Sequence, residues 1–286
     1  MPRIARVVAA GHPHHITQRG NYRQKIFADD TDRRKYLLLL KEESKRYHLI
    51  ILAYCLMPNH VHFIAVPQRE DSLGKAFKYT NMKYSQYYNN KMKVSGHLFQ
   101  GRFFSCVMDE RHMIACARYI ERNPVRAKLV KQPYLWPYSS AKIHCGINQD
   151  DPLGVNQLFN YIEKEPKEWK EWIEASDNPE EMKGIREKTR TGRPLGTNDF
   201  IERLEGQLKR LFKLKPKGRP KKVSGQTLSG HSAVDDENLG AIPFKRSKEA
   251  GPDLRFKENR DPGLYTSHSP LHDSGFVERE IGSGNV

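Results

Sequence analysis

The chain has 286 residues, and its 49 Lys and Arg against 34 Asp and Glu give a formal net charge of +15. A positive excess of this size predicts a polyanionic partner, with nucleic acid favoured over an anionic membrane surface. The sequence contains no run of about 18 apolar residues and no signal-peptide core, so it predicts neither a membrane-spanning nor a secreted protein.

The first half of the chain alternates between strand and helix patterns. Apolar runs rich in Val, Ile, Phe and Tyr indicate strands, and amphipathic stretches preceded by Asp indicate capped helices. Pro124 disfavours helical geometry at the residue before it, so the last of these helices is expected to end there. In chain order the predicted elements are a strand over 13–19, a helix from the acidic run 29–32 to Arg46, two strands within 51–67, a helix over 72–92, a strand over 98–107 that carries Arg102, and a helix from Asp109 to Asn123.

This order of elements predicts an α+β fold, in which helices cover one face of an antiparallel sheet. Beyond this domain the composition becomes polar, then strongly basic, then rich in Gly, Ser, Asp and Pro without periodicity. A helix capped by Thr197 is predicted over 198–212. The predicted divisions are a catalytic domain at 1–148, a polar helical extension at 149–182, a basic DNA-binding segment at 183–222 and a disordered tail at 223–286.

A Gly-Arg-Pro core flanked by lysines stands near the end of the basic segment. An extended Arg-Pro strip fits the narrow minor groove of A·T tracts, so the pattern is typical of an AT-hook and also of a generic basic linker. Either interpretation predicts phosphate contacts that salt weakens. The residues of this segment predicted to bind DNA are Lys217, Arg219, Lys221 and Lys222.

The cysteines are not spaced for a zinc site. None of the four forms a C-x-x-C pair, and Cys55 and Cys116 lie within apolar stretches. They are expected to be buried small hydrophobic residues in a reducing cytosol.

Two histidines of the second apolar strand form the first half of a candidate site. His60 and His62 are two residues apart, so on a strand their imidazoles point to the same face while Val61 and Phe63 point to the other. Neighbouring imidazoles on one rigid face can bind a divalent metal ion, although most such pairs in proteins are solvent-facing or hydrogen-bonded histidines.

The helix before Pro124 supplies the second half of the candidate site. Tyr119 and Asn123 are four residues apart and would share one helix face. If this helix packs on the sheet, His60, His62 and the Asn123 amide oxygen can bind one Mg²⁺ or Mn²⁺ ion. Tyr119 could then attack a metal-polarised phosphate. A half-buried helical aromatic is the simpler interpretation of Tyr119 alone.

These segments together resemble a known family, the REP-associated tyrosine transposases, which belong to the single-tyrosine HUH transposases. The resemblance covers about residues 1–145 and rests on Gly11-His12-Pro13-His14-His15-Ile16-Thr17-Gln18-Arg19-Gly20-Asn21, Met57-Pro58-Asn59-His60-Val61-His62, Tyr119-Ile120-Glu121-Arg122-Asn123-Pro124-Val125-Arg126-Ala127 and Trp136-Pro137-Tyr138-Ser139-Ser140.

The resemblance implies a ferredoxin-like sheet, His60, His62 and Asn123 as metal ligands, and Tyr119 as the nucleophile. It implies cleavage and joining of single-stranded DNA near hairpins through a covalent 5′-phosphotyrosine, in a bacterial, nucleoid-associated monomer or homodimer. AT-rich duplex DNA is a second expected partner. The alternatives are a non-catalytic DNA-binding regulator on the same fold and a rolling-circle nickase or relaxase. Further DNA-contacting candidates are Arg19 and Arg102, with Tyr79 and Tyr87 for base stacking and Tyr87 as the alternative nucleophile.

Overall fold

The computed structural model describes residues 6–162 and 165–212. Within them, four strands form one sheet in the order β2-β3-β1-β4, and every pair of neighbouring strands is antiparallel. The strands are β1 (His14–Arg19), β2 (Leu49–Met57), β3 (His60–Pro67) and β4 (Phe104–Val107).

The helices follow the predicted positions closely in the first part of the chain. With the strands they give the order β1-α1-β2-β3-α2-β4, which is ferredoxin-like and confirms the predicted class. The helices are α1 (Asp30–Arg46), α2 (Ser72–Met92), α3 (Glu110–Glu121), α4 (Asn123–Arg126), α5 (Ala141–His144), α6 (Pro166–Glu174), α7 (Pro179–Thr191) and α8 (Asn198–Leu208).

The first face of the sheet is covered by α1 and α2. The Asp29 side chain accepts from the Asp32 amide at the start of α1, and Asp32 in turn accepts from the Asp29 amide, so the two form a capping box. Inward-facing side chains of the strands and both helices make an aromatic core. Among its fully buried members are Tyr36, Phe63, Phe77 and Tyr84.

The second face is covered by helices as well, in addition to the layer predicted for one face. The apolar stripe of α3 packs against residues of β2 and β3 such as Cys55, Ile64 and Val66. Both strands are almost continuously apolar, so each presents hydrophobic side chains to two faces, and both faces must be buried. Trp169 of α6 and Ile185 of α7 complete this second core.

Buried polar side chains join the C-terminal helices to α3. The Glu121 carboxylate is fully buried and accepts hydrogen bonds from Ser140 Oγ at 2.6 Å, His144 Nδ1 at 2.5 Å and Trp169 Nε1 at 2.9 Å. Asp177, which lies between α6 and α7, accepts from three arginines of α3, α4 and the residue between them. These arginines are Arg118, Arg122 and Arg126.

Two local predictions differ from the structure. The strand expected over 98–107 starts at Phe104, because Gly101 has a φ of 131° that breaks the extended run; Arg102 therefore lies in the approach to β4 and not on it. Asp71 precedes α2 without a side-chain cap and instead pairs with Lys75 at 2.6 Å.

The remaining expectations concern burial, the membrane and the end of the chain. All four cysteines are buried and free, as predicted. No helix among the described residues is long and apolar enough to cross a membrane. Thr197 caps α8 as predicted, since its side chain accepts from the Phe200 amide. The AT-hook-like segment and the predicted tail lie outside the described residues.

Candidate active site

The histidine pair lies on the second face of the sheet, at the end of β3 that follows the β2–β3 turn. The imidazoles of His60 and His62 stand next to each other, with ring centroids 4.9 Å apart and planes at 77°. His60 is half-buried and His62 is buried. Antiparallel pairing places Arg19 opposite His60 and Thr17 opposite His62 on β1.

Tyr119 lies directly against the inner histidine of the pair, His62. It belongs to the last turn of α3 and is half-buried. Its ring meets His62 edge-on, with centroids 6.0 Å apart and planes at 83°, and meets His15 similarly at 6.1 Å and 78°. The packing of α3 on the sheet therefore brings together two elements more than 50 residues apart in the chain.

Asn123 is close in sequence to Tyr119 but does not share its helix. The α3 helix ends at Glu121, and Asn123 begins α4 with Pro124 as its next residue. In the described part of the chain Asn123 makes no hydrogen bond to His60 or His62, and its Nδ2 atom is buried without a hydrogen-bond partner. A buried amide donor without an acceptor is costly, so a bound group that accepts a hydrogen bond from Nδ2 would stabilise the site.

The imidazoles are chemically suited to hold a metal ion. Burial, followed by the nearby Arg19, lowers the pKa of His60 to about 4. Burial is also the main cause that lowers the pKa of His62 well below its usual value, with smaller contributions from neighbouring cationic groups. Both rings are therefore neutral at pH 7 and keep a lone pair for coordination. Two imidazoles and an amide oxygen suit Mn²⁺ better than Mg²⁺, which prefers oxygen ligands alone.

In the described part of the chain, other metal-ligating side chains do not enlarge this set of donors. Among the described residues, no group of three or more His, Cys, Asp or Glu side chains is arranged to hold a metal ion. A cation at His60, His62 and Asn123 would thus retain open coordination positions for water or for phosphate oxygens.

Two groups beside the histidines were not predicted from the sequence. His15 Nε2 lies 2.9 Å from His62 Nδ1, and His15 Nδ1 lies 2.7 Å from the hydroxyl of Thr189 in α7. His15 and Thr189 are 174 residues apart in the chain. The His14-His15 pair was visible in the motif, but no sequence signal connects it with a threonine in a basic, polar helix.

Cationic side chains also surround Tyr119. The guanidinium carbon of Arg126 lies 4.3 Å from the centre of the Tyr119 ring, and that of Arg186 in α7 lies 5.9 Å away. Arg126 also donates to the Tyr119 backbone carbonyl. Arg126 belongs to the motif that carries the resemblance, so its presence near Tyr119 had a sequence signal, whereas Arg186 had none.

The predicted DNA-contacting residues fall at different places. Arg19 is exposed at the end of β1 beside His60, and Arg102 is exposed in the loop before β4. The candidates of the basic segment lie outside the described residues; they are Lys217, Arg219, Lys221 and Lys222.

The two tyrosines suggested for base stacking make contacts within the protein. Tyr79 stacks on Tyr47, with ring centroids 5.5 Å apart and planes at 13°. The hydroxyl of Tyr87 donates to Asp32 at 3.0 Å. Tyr87 thus contacts the N-terminal cap of α1 on the first face of the sheet. The histidine pair lies on the opposite, second face.

Comparisons with known proteins identify what this chain is similar to. The model of the family described as "Transposase IS200 like" matches residues 9–123. No curated protein matches the chain significantly. Among solved structures, a REP-associated tyrosine transposase bound to a REP hairpin is 18% identical with a TM-score of 0.44, covering 55% of this chain and 93% of its own. A candidate transposase from Deinococcus radiodurans R1 is 16% identical with a TM-score of 0.30, covering 42% of this chain and 97% of its own.

The family match begins before β1 and ends at Asn123, and it therefore contains the histidine pair and the tyrosine that contacts it. The resemblance seen in the sequence is confirmed at the level of the family. What the comparison gives for this chain is a match of residues 9–123 to the model of the IS200-like transposase family.

Proposed function

We propose that the protein is a REP-associated tyrosine transposase, which cleaves and joins single-stranded DNA near hairpins with Tyr119 as the nucleophile. The observation that supports this most strongly is the edge-on contact of Tyr119 with His62, at a centroid distance of 6.0 Å. A tyrosine and two neutral imidazoles on one face provide a nucleophile beside a place for a divalent cation.

His60, His62 and Asn123 would hold Mn²⁺ or Mg²⁺. When bound, this ion would polarise the scissile phosphate and offset its developing negative charge. Arg126 and Arg186 lie over the Tyr119 ring, where their guanidinium groups would contact the incoming phosphate. The phenol, the scissile phosphate and the proposed cation would then lie within one small region.

In the proposed step, the Tyr119 phenolic oxygen forms a bond to phosphorus and the bond from phosphorus to the 3′ oxygen breaks. The phenol loses its proton to solvent, and the departing 3′ oxygen takes one up. The DNA 5′ end remains joined to Tyr119. Attack of another 3′ hydroxyl on this phosphotyrosine restores the phenol and joins the strands. One phosphodiester replaces another, so no nucleotide cofactor is required.

The surface beside the histidines offers contacts for a DNA strand. Arg19 is exposed next to His60 and can bind a phosphate. Tyr22 follows in the same loop with its side chain 93% exposed, and Asn59 holds this loop by donating to the Arg23 carbonyl at 3.1 Å. An exposed aromatic ring can stack on a DNA base. Arg102 is the second exposed arginine proposed to contact DNA.

A covalent-adduct assay tests the proposal. The protein is incubated with Mn²⁺ and a labelled single-stranded oligonucleotide that carries a hairpin, and adducts that survive SDS are measured. We expect an adduct with the wild type and with Tyr87→Phe, and none with Tyr119→Phe. An adduct that persists in Tyr119→Phe would contradict the assignment of the nucleophile. Tight binding without any adduct would favour the non-catalytic regulator.

The basic segment 213–222 is proposed to add phosphate contacts. Its six cationic side chains come without an acidic residue. Each phosphate contact contributes roughly 0.7 to the slope of log K against log salt for single strands and 0.9 for duplex DNA. Deletion of 213–222 should therefore flatten the salt dependence of DNA binding and leave adduct formation intact. An unchanged slope in a binding titration at several salt concentrations would refute this role.

A further inference from the structure

A chain of buried hydrogen bonds leads from α7 to the inner histidine of the pair. Thr189 Oγ1 lies 2.7 Å from His15 Nδ1, and His15 Nε2 lies 2.9 Å from His62 Nδ1. The exposed fractions of these three residues are 6%, 2% and 6%. The His15 and His62 rings are nearly parallel, with planes at 14°. Water therefore has little access to these hydrogen bonds. The positions of their protons are set by the surrounding protein groups.

The Thr189 end of these hydrogen bonds determines which group donates in each of them. The Thr189 hydroxyl has one proton, and its oxygen lies 2.7 Å from the Ile185 carbonyl, which can only accept. The hydroxyl therefore donates to Ile185 and presents a lone pair to His15. The opposite arrangement would leave two oxygens at 2.7 Å with no proton between them, which is repulsive.

The remaining positions are then determined in sequence. His15 carries its proton on Nδ1 and donates it to Thr189, so its Nε2 atom is an acceptor. His62 must donate from Nδ1 to this acceptor. The proton of the neutral His62 ring is thus on Nδ1, and its Nε2 atom keeps the lone pair that a metal ion needs.

His60 reaches the same state by a separate route. Asn59 Nδ2 donates to the Arg23 carbonyl at 3.1 Å, which orients the amide so that its Oδ1 atom faces His60 Nδ1 at 2.6 Å. His60 therefore donates from Nδ1 and also keeps a lone pair on Nε2. Both routes end on a backbone carbonyl, and both leave the same nitrogen of each imidazole unprotonated.

We infer that Thr189 and His15 are positioning residues that hold His62 as the Nδ1-protonated tautomer competent for metal binding. The inference rests on the proposed metal site at His60, His62 and Asn123. Thr189 lies outside the 9–123 segment that matches the family, so α7 contributes to the site from a part of the chain beyond that match. Without the Thr189 hydroxyl, His15 Nδ1 loses its acceptor in this series of hydrogen bonds. His15 and His62 can then adopt their other tautomers.

The metal affinity of Thr189 variants tests the inference. Mn²⁺ binding is measured on the full-length chain by the loss of the free-ion signal in electron paramagnetic resonance. Thr189→Val should bind Mn²⁺ about tenfold more weakly, the lower end of the range for groups behind a metal ligand. Thr189→Ser should restore the affinity. Thr191→Val is the matched control, because the Thr191 hydroxyl also bonds back along α7, to Glu187 at 3.0 Å, without contact to His15. Equal affinity of Thr189→Val and wild type would overturn the inference.

A spectroscopic measurement separates this inference from the proposed function. Long-range ¹H–¹⁵N spectra of labelled imidazoles report directly which nitrogen is protonated in the metal-free wild type. We expect Nδ1 protonation at His15 and His62, and a mixture of tautomers in Thr189→Val. Nε2 protonation of His62 in the wild type would overturn the positioning role, even if Thr189→Val failed to fold. The expected tautomers in a protein that binds no Mn²⁺ would support the positioning role and contradict the metal site.

Discussion

The two faces of the sheet are built on different principles. Alternate residues of β3 serve both: Val61 and Phe63 enter the aromatic core under α1 and α2, whereas His60 and His62 face α3. The first face is closed mainly by segments within about 90 residues of one another, and its contacts are largely apolar. The second face depends on α3, α6 and α7, and its contacts include buried imidazoles and a buried carboxylate.

This difference separates stability from chemistry. A close-packed aromatic core holds the strands in register, and that register fixes the spacing of the two histidines. The polar second face then orients groups that an apolar core could not contain without partners. We therefore expect substitutions on the first face to change stability alone, whereas substitutions on the second face can change stability, catalysis and its pH dependence.

The largest effect is expected for His62→Ala. Loss of a proposed metal ligand should slow DNA cleavage by about 100- to 1000-fold, since metal polarisation of a phosphate contributes several kcal/mol to the barrier. Single-turnover cleavage of a labelled hairpin oligonucleotide with Mn²⁺ measures it. His48→Asn is the control, because it removes an exposed imidazole at a left-handed position that Asn tolerates. A cleavage rate of His62→Ala within threefold of wild type would contradict the assignment of catalysis to the second face.

Glu121→Ala should produce the largest loss of stability. Ser140, His144 and Trp169 would each lose the same buried acceptor. Removal of one partner from such a buried group costs about 3–5 kcal/mol in free energy of unfolding. Urea denaturation measures the loss, with the exposed Glu171→Ala as control, for which a change below about 0.5 kcal/mol is expected. A small effect at Glu121 would mean that the C-terminal helices are not held through this carboxylate.

Acid should destabilise the protein through histidines that are buried and neutral. Burial lowers the pKa of His14 to about 4 and that of His15 to about 3. In the unfolded chain these groups take up protons near pH 6.5, but in the folded chain they do not. Their contribution to stability is therefore complete above about pH 6.5 and declines as the pH falls toward 4.

Together the two histidines should lower the free energy of unfolding by about 2–3 kcal/mol between pH 7.5 and 5.5. The reason is that each imidazole is protonated in the unfolded chain and stays neutral in the folded one. Urea midpoints measured across this range in metal-free buffer give the value. His14→Gln should remove the share of one histidine, about 1.3 kcal/mol of free energy of unfolding, and leave the share of the other buried histidines. A free energy of unfolding that stays constant, or rises toward pH 5.5, would contradict the assignment of neutral buried imidazoles.

The smallest effect is expected on the first face, for Tyr84→Phe. The Tyr84 hydroxyl donates to the buried Ile26 carbonyl at 2.6 Å. Its removal leaves this carbonyl without that donor, which should cost about 1–2 kcal/mol. Parallel urea denaturation and single-turnover cleavage assays check the prediction. Cleavage of the folded variant should match wild type, and a tenfold loss would show that the first face also takes part in catalysis.

Local patterns in the sequence were sufficient to predict the framework. The acidic run before α1, the Pro58-Asn59 turn and the alternation of β3 are each readable within a few residues. They predict the antiparallel sheet and the shared face of His60 and His62. The position of Tyr119 followed only when the helix pattern was combined with the family resemblance.

The missing parts of the site are those that depend on distant segments. Thr189 and Arg186 belong to a polar helix whose pattern gives no indication that it packs beside β1. The continuous apolar run of β2 indicates burial on two faces, but it does not indicate which segments of the chain cover the second face, so that layer of helices was missed. Arg102 was placed on a strand because the positive φ of Gly101 cannot be read from composition.

Peptide mapping of the protein–DNA adduct tests the central claim most directly. Trypsin cuts after Arg118 and Arg122, so Tyr119 falls in the peptide Tyr119-Ile120-Glu121-Arg122, which contains one tyrosine. After nuclease trimming of an adduct formed with Mn²⁺, mass spectrometry should find the nucleotide remnant on this peptide. A remnant on a peptide that contains Tyr87, or on any other tyrosine, would contradict Tyr119 as the nucleophile.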